Sequence, residues 1–302
     1  MKTNREFFTA SGKPDPEKQA ELEKAGTHTV ERLGRDPRME RLLAEVDFEL
    51  LKNIIETHTK RAGIKEKALN IIYPDRIAHR SIDPDATGSY EPSENVIGIS
   101  YDKIQRHAEK LGLDEVLIGS LLLTHEEIHA TSRVECRGLE TPLHRTGDRV
   151  DETVGYARRT VSKDAGEGGL KVIEIYNLID EGIVQKLARE IFFEYARARG
   201  YPENKIKAIE KSWQNHPDKV AYGKEIIFVE KLIDTISAKT GTSPIKVWES
   251  FIRGLYEGED LTDKELNELF AEYISPDFLK KLAHANTSEA LELLFTETFL
   301  EK

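Results

Sequence analysis

Apolar residues recur at helical spacing along most of the chain and at strand spacing in only a few short places. Met39, Leu42, Leu43, Val46, Leu50, Ile54 and Ile55 fall three or four apart, which predicts one amphipathic helix over 38–61 with Gly63 ending it. Upstream, residues 1–16 read as a ragged tail and 17–33 as a strongly charged, exposed helix. Ala68–Tyr73, closed by Pro74, and Asn95–Ser100 read as short strands, and Pro, Gly, Asp and Ser make 81–93 a loop between them. Asp102 and Asp114 stand at the heads of two further predicted helices, 102–111 and 115–130. The second is apolar nearly all round in its first half, as a helix running through a core should be.

From 131 to 169 the chain is polar and rich in Gly and Arg, and it reads as a long loop. Residues 170–198 are helical by pattern. Beyond Pro202 the predicted helices are 218–239, 244–254, 262–273, 276–284 and 287–300. No internal repeat is present. The expected fold class is α+β, mostly α: a small sheet and a buried helix flanked by helical segments. The expected divisions are an N-terminal helical segment (1–64), a core (65–200) and a C-terminal helical subdomain (201–302).

Composition narrows the function. Over 302 residues the formal net charge is −11, which disfavours nucleic acid as a partner because phosphate binding needs a surplus of Lys and Arg. Cys136 is the single cysteine, so no intramolecular disulfide forms. The first residues carry no apolar run of signal-peptide length, and no stretch approaches a membrane span. The expectation is a cytoplasmic protein with no membrane partner. The oligomeric state is not legible.

One segment of the buried helix carries chemistry: His125-Glu126-Glu127-Ile128-His129. Residues four apart on a helix share a face, so the two imidazoles can reach one zinc ion at about 2.0–2.1 Å per bond. Glu126 follows the first histidine, where a carboxylate can take a proton from water at the metal. A catalytic zinc needs a third protein ligand. Glu181, 52 positions after His129, lies on an apolar helix body made of Leu178, Ile179, Ile183, Val184 and Leu187, with Gly182 beside it. A carboxylate there is costly unless it is paired or bound to metal. Asp180 is the second candidate.

With this motif and this later acidic helix, residues 65–200 resemble the zincin superfamily of metallopeptidases, in the layout of its gluzincin branch. The resemblance implies His125 and His129 as zinc ligands, Glu126 as general base, and a glutamate from a later helix as third ligand. Asp180-Glu181-Gly182 is similar to the run around that glutamate. The implied reaction is hydrolysis of a peptide or protein substrate. Tyr222 is similar to an oxyanion-stabilising tyrosine of several bacterial members, with Tyr176, His144 and His216 as alternatives. Gln185 stands where related enzymes carry a carboxylate that orients a ligand. The strand 95–100 resembles the edge strand on which zincins bind substrate, which makes Val96 and Gly98 candidate substrate-binding residues. A metzincin reading would use Glu135 as third ligand, but no methionine follows the motif. Cys136 is either a free thiol or a cap on the metal. The alternative function is a non-catalytic or single-target zincin-fold protein that acts through protein binding.

Overall fold

The computed structural model describes residues 5–9, 12–64, 69–80, 86–139, 149–163, 170–215, 222–258, 270, 274–275 and 277–300. Helices dominate, with two small sheets, as the α+β, mostly α expectation requires. The first half runs β1 (Arg5–Phe8), α1 (Pro16–Leu33), α2 (Pro37–Glu45), α3 (Phe48–Arg61), β2 (Ile77–Ala78), β3 (Gly88–Glu91), β4 (Val96–Ile99), α4 (Tyr101–Leu111) and α5 (Glu115–Thr131). The second half runs β5 (Val134–Leu139), β6 (Arg149–Val154), β7 (Ala157–Lys163), β8 (Leu170–Ile175), α6 (Asn177–Ala198), α7 (Glu203–Asn215), α8 (Gly223–Thr240), α9 (Pro244–Glu257), α10 (Phe278–Ala283) and α11 (Ser288–Phe295).

Several sequence expectations need correction. The helix expected over 38–61 is two, because Val46 turns extended and the Asp47 side chain accepts the Leu50 amide as the N-cap of α3. The strand expected at 68–73 is absent from 69–73. The chain there stays irregular, one turn of 3₁₀ helix follows, and strand begins only at Ile77. The tail is partly ordered, since β1 pairs in parallel with β5. The largest miss is 131–169. Where a loop was expected stand β5, β6 and β7, and with β8, where helix was expected, they form an antiparallel meander in a five-stranded sheet of order β1-β5-β6-β7-β8. Helix begins at Asn177 rather than at 170, and α7 was not anticipated. The helix expected over 262–273 falls almost wholly outside the described residues.

The second sheet has the order β2-β4-β3. Strand β4 is therefore its middle strand, parallel to β2 and antiparallel to β3, and all four of its residues are buried. Val96 and Gly98 are thus not on a substrate edge. Among the described residues β3 is an edge strand of this sheet.

One continuous cluster of buried apolar side chains joins all three expected divisions, from Ile55 on α3 through Ile183 on α6 to Phe228 on α8 and Leu294 on α11. Within it, α5 is buried from Leu117 onward apart from the partly exposed Leu122, as its all-round apolar pattern requires. It packs beside β3 and β4 on one side and α6 on another. No helix among the described residues is long and apolar enough to cross a membrane.

The Asp114 carboxylate caps α5, accepting the Val116 and Leu117 amides at 3.0 and 3.4 Å. Asp114→Ala leaves these amides without their acceptor and is expected to lower stability by about 1 kcal/mol, read as a fall in the denaturant midpoint at unchanged slope. An unchanged midpoint would refute the cap.

Candidate metal centre

Helix α5 presents His125 and His129 on one face, and α6 brings Glu181 to meet them. His125 Nε2 lies 3.2 Å from His129 Nε2 and 3.2 Å from Glu181 Oε2, and His129 Nε2 lies 3.6 Å from the same oxygen. Tetrahedral ligands at the Zn–N bond length stand about 3.3 Å apart. The three atoms thus form a triangle the size of one face of a zinc site. Both histidines are buried, and Glu181 Oε2 has no hydrogen-bond partner among the described residues. Two imidazole nitrogens turned toward each other and toward an unsatisfied carboxylate oxygen suit a cation between them.

The ambiguity between Asp180 and Glu181 resolves by direction. Neighbouring helix residues point about 100° apart. Glu181 faces the two Nε2 atoms, whereas Asp180 Oδ2 faces Nδ1 of His129 at 3.6 Å. Asp180 is almost wholly buried, and its Oδ1 accepts the Tyr156 amide at 2.7 Å. It therefore sits behind a ligand, where a carboxylate fixes the tautomer of a metal-binding histidine. Burial pushes Asp180 up to about 7, opposed by His129. Burial favours neutral His129, but the Glu181 and Asp180 carboxylates outweigh it and raise the ring to about 9.

The Tyr156 amide reaches Asp180 because β6 and β7 join through a two-residue turn, Gly155-Tyr156. Gly155 has φ +57°, and a Cβ on it would fall 2.5 Å from Asp180 Oδ1. Only glycine fits that turn against that carboxylate. The segment expected as a loop thus braces Asp180 behind His129.

Glu126 is buried, and burial raises its pKa against the pull of His125 and His129. Strand β3 crosses directly over it, since a Cβ on Gly88 would fall 2.7 Å from Glu126 Oε1. The Ser100 amide bonds to the Thr87 carbonyl, and Gly88 pairs with Ile99 in antiparallel register. Bonded residues alternate in such a ladder. Ser89 and Glu91 therefore bond toward β4, while Gly88 and Tyr90 turn their backbone groups to the open side. Glu127, next to the base, points the other way into the core, where it accepts the Ile72 amide at 3.0 Å. Burial pushes its pKa well up.

Tyr222 caps α8 and stacks on His125, with ring centroids 5.5 Å apart and planes 4° from parallel. Its φ is +57°, a costly conformation for a bulky side chain, and such strain gathers at functional sites. The negative charge of Glu181, then burial, keep its phenol protonated. Tyr176 also has positive φ, but its side chain packs in the core. His144 and His216 lie outside the described residues. Glu135 is tied to Arg133 and Arg137 at 2.8 and 3.2 Å and stands apart from the ligand set. Cys136 is buried with Phe7 and Val134, and burial raises its thiol pKa, so it does not cap the metal. Gln185 is buried but hydrogen-bonds to neither histidine, and Asp180 takes the orienting place.

His125, Glu126, His129, Glu181 and Tyr222 line a cleft of about 330 Å³, walled by β3 on one side and by β6, β7 and β8 on the other. A larger hollow of about 560 Å³ lies at the heads of α2 and α4 and gathers no comparable ligand set. Comparison with protein-family models, with curated proteins and with solved structures finds no match to this chain. The reading of the site therefore rests on its own residues.

Zinc titration against a competing chelator tests the assignment. Asp180→Asn keeps all three ligands and is expected to weaken binding by about 10- to 100-fold. Glu181→Ala removes a ligand and should cost more. An equal or larger loss at Asp180 would reverse the roles.

Proposed function

We propose that this chain is a zinc-dependent metallopeptidase that hydrolyses peptide bonds with Glu126 as general base. The triangle of His125, His129 and Glu181, with sides of 3.2 to 3.6 Å and open to a cleft, carries this reading. A structural zinc is closed by four protein ligands, whereas a catalytic one keeps a position free. Among the described residues three potential ligands gather here, and a carboxylate that is not one of them stands beside them.

When bound, zinc supplies a Lewis acid that brings the pKa of water toward about 7 and polarises a carbonyl. Glu126 takes the proton of the attacking water as its oxygen adds to the scissile carbonyl carbon. It then hands that proton to the nitrogen as the carbon–nitrogen bond breaks. Burial suits it to this work, because a desolvated carboxylate holds a proton more tightly than one in water. The Tyr222 phenol, held against His125, donates to the oxyanion that develops on the former carbonyl oxygen. The open edge of β3 offers the backbone groups of Gly88 and the Tyr90 carbonyl to an extended substrate, which would add as a further strand over the base, while the Tyr90 amide is turned to Glu126. Asp180 acts through His129 by holding its ring in register.

Two variants test the proposal. Glu126→Gln is expected to retain zinc and fold while losing peptide hydrolysis by a factor of about 10² or more. Tyr222→Phe should lower kcat by about 10²-fold with a smaller change in KM, since its hydrogen bond strengthens as charge develops. Near-normal turnover by Glu126→Gln would overturn the mechanism.

A further inference from the structure

Glu152 has no part in the chemistry described above, yet it lines the same cleft. Its position follows from register. Strands β6, β7 and β8 pair so that Glu152 stands opposite Arg159, and Arg159 opposite Glu174. All three line the cleft. On the same face, one step nearer the metal, come Val154 and Ala157, which flank the turn that braces Asp180. Two residues of strand separate Val154 from Glu152, a displacement of about 7 Å. A charged rung thus lies about 7 Å along the strand from the turn that braces Asp180.

The rung is short of positive charge. Glu152 is only 8% exposed, and no hydrogen bond reaches its carboxylate among the described residues. Its one ion-pair partner, Arg159, is 3.8 Å away, beyond hydrogen-bond distance, and is shared with Glu174 at 3.6 Å. The Glu91 carboxylate repels it from β3 across the cleft. Burial and that repulsion raise Glu152 to about 7. On this face Glu152 and Glu174 share the single guanidinium of Arg159, and Glu91 adds a further negative charge nearby. A carboxylate this buried is stable as an anion only with a cation and a donor against it. Its side chain keeps 9% of its surface exposed and lines the cleft.

We propose that Glu152 is the specificity-determining residue of a subsite for a cationic side chain, lysine or arginine, on the peptide substrate. The ammonium or guanidinium supplies the donor that Arg159 is too far away to give, while the alkyl stem crosses Val154 and Ala157. The proposal deepens the metallopeptidase reading of the same cleft and rests on it.

The test uses binding rather than turnover. Short peptides carrying a hydroxamate at the carboxyl or the amino end, with lysine, norleucine or glutamate scanned through each position, are titrated into the zinc-loaded chain by calorimetry. At one position lysine is expected to bind about tenfold or more tighter than norleucine, the worth of one charge-assisted hydrogen bond. Glutamate should be weakest there. Glu152→Gln should bring lysine and norleucine to within about threefold while leaving the norleucine peptide unchanged. Arg159→Gln alters a half-exposed residue and does not depend on how Glu152→Gln folds. By freeing the carboxylate it should enlarge the lysine preference. If lysine gains nothing over norleucine at any position, or if its gain survives Glu152→Gln, the subsite is refuted while the metal centre stands. If no hydroxamate binds at all, the metallopeptidase reading falls with it.

Discussion

Three carboxylates and two imidazoles packed out of water around one point set the terms for the rest of this structure. Glu126, Asp180 and Glu181 surround His125 and His129, and all five are largely buried. Left alone, that arrangement holds more negative charge than low-dielectric surroundings tolerate. His129 is driven to hold a proton and Asp180 to take one up near neutrality. A dication between the Nε2 atoms and Glu181 Oε2 relieves both strains at once. A dication held there would have its binding coupled to the protonation of His129 and Asp180.

The scaffold serves that cluster from several sides. Helix α5 is rigid because it is buried and capped, so the histidines keep one spacing. Strand β3 lies so close over Glu126 that a side chain at position 88 would push the carboxylate aside. The Gly155-Tyr156 turn presses an amide onto Asp180, and the left-handed start of α8 swings Tyr222 against His125. These elements lie far apart in sequence. The contacts that hold the site are therefore non-local, each with a loop-closure cost, and a common core from α3 to α11 holds them together.

The cluster of His125, His129 and Glu181 was legible because its signals are local. Two histidines four apart on an apolar helix, and an acid with glycine beside it on another, need only helical periodicity to be read. The parts that escaped are non-local. Whether 95–100 is an edge or a middle strand depends on where β2 and β3 land, and neither is written in that segment. The meander β5 to β8 was hidden because one of its faces lines a wet cleft. Glu152, Arg159 and Glu174 stand there where a dry sheet would carry apolar residues, so the alternation that marks a strand is broken. Strand β1, four residues pairing with a partner nearly 130 positions away, gives no local sign at all. The break between α2 and α3 was readable in principle. Asp47 is an N-cap residue set inside a periodic run, and helical spacing carried across it concealed the stop.

The central claim is that His125, His129 and Glu181 hold one zinc ion with a position left open. X-ray absorption at the zinc edge of the metal-loaded chain measures this directly, because it counts and identifies the ligands in solution. The predicted spectrum is that of one zinc per chain, with two imidazole nitrogens and oxygen ligands at about 2.0–2.2 Å and no sulfur. A sulfur shell at about 2.3 Å, or six oxygen neighbours without imidazole, would contradict it.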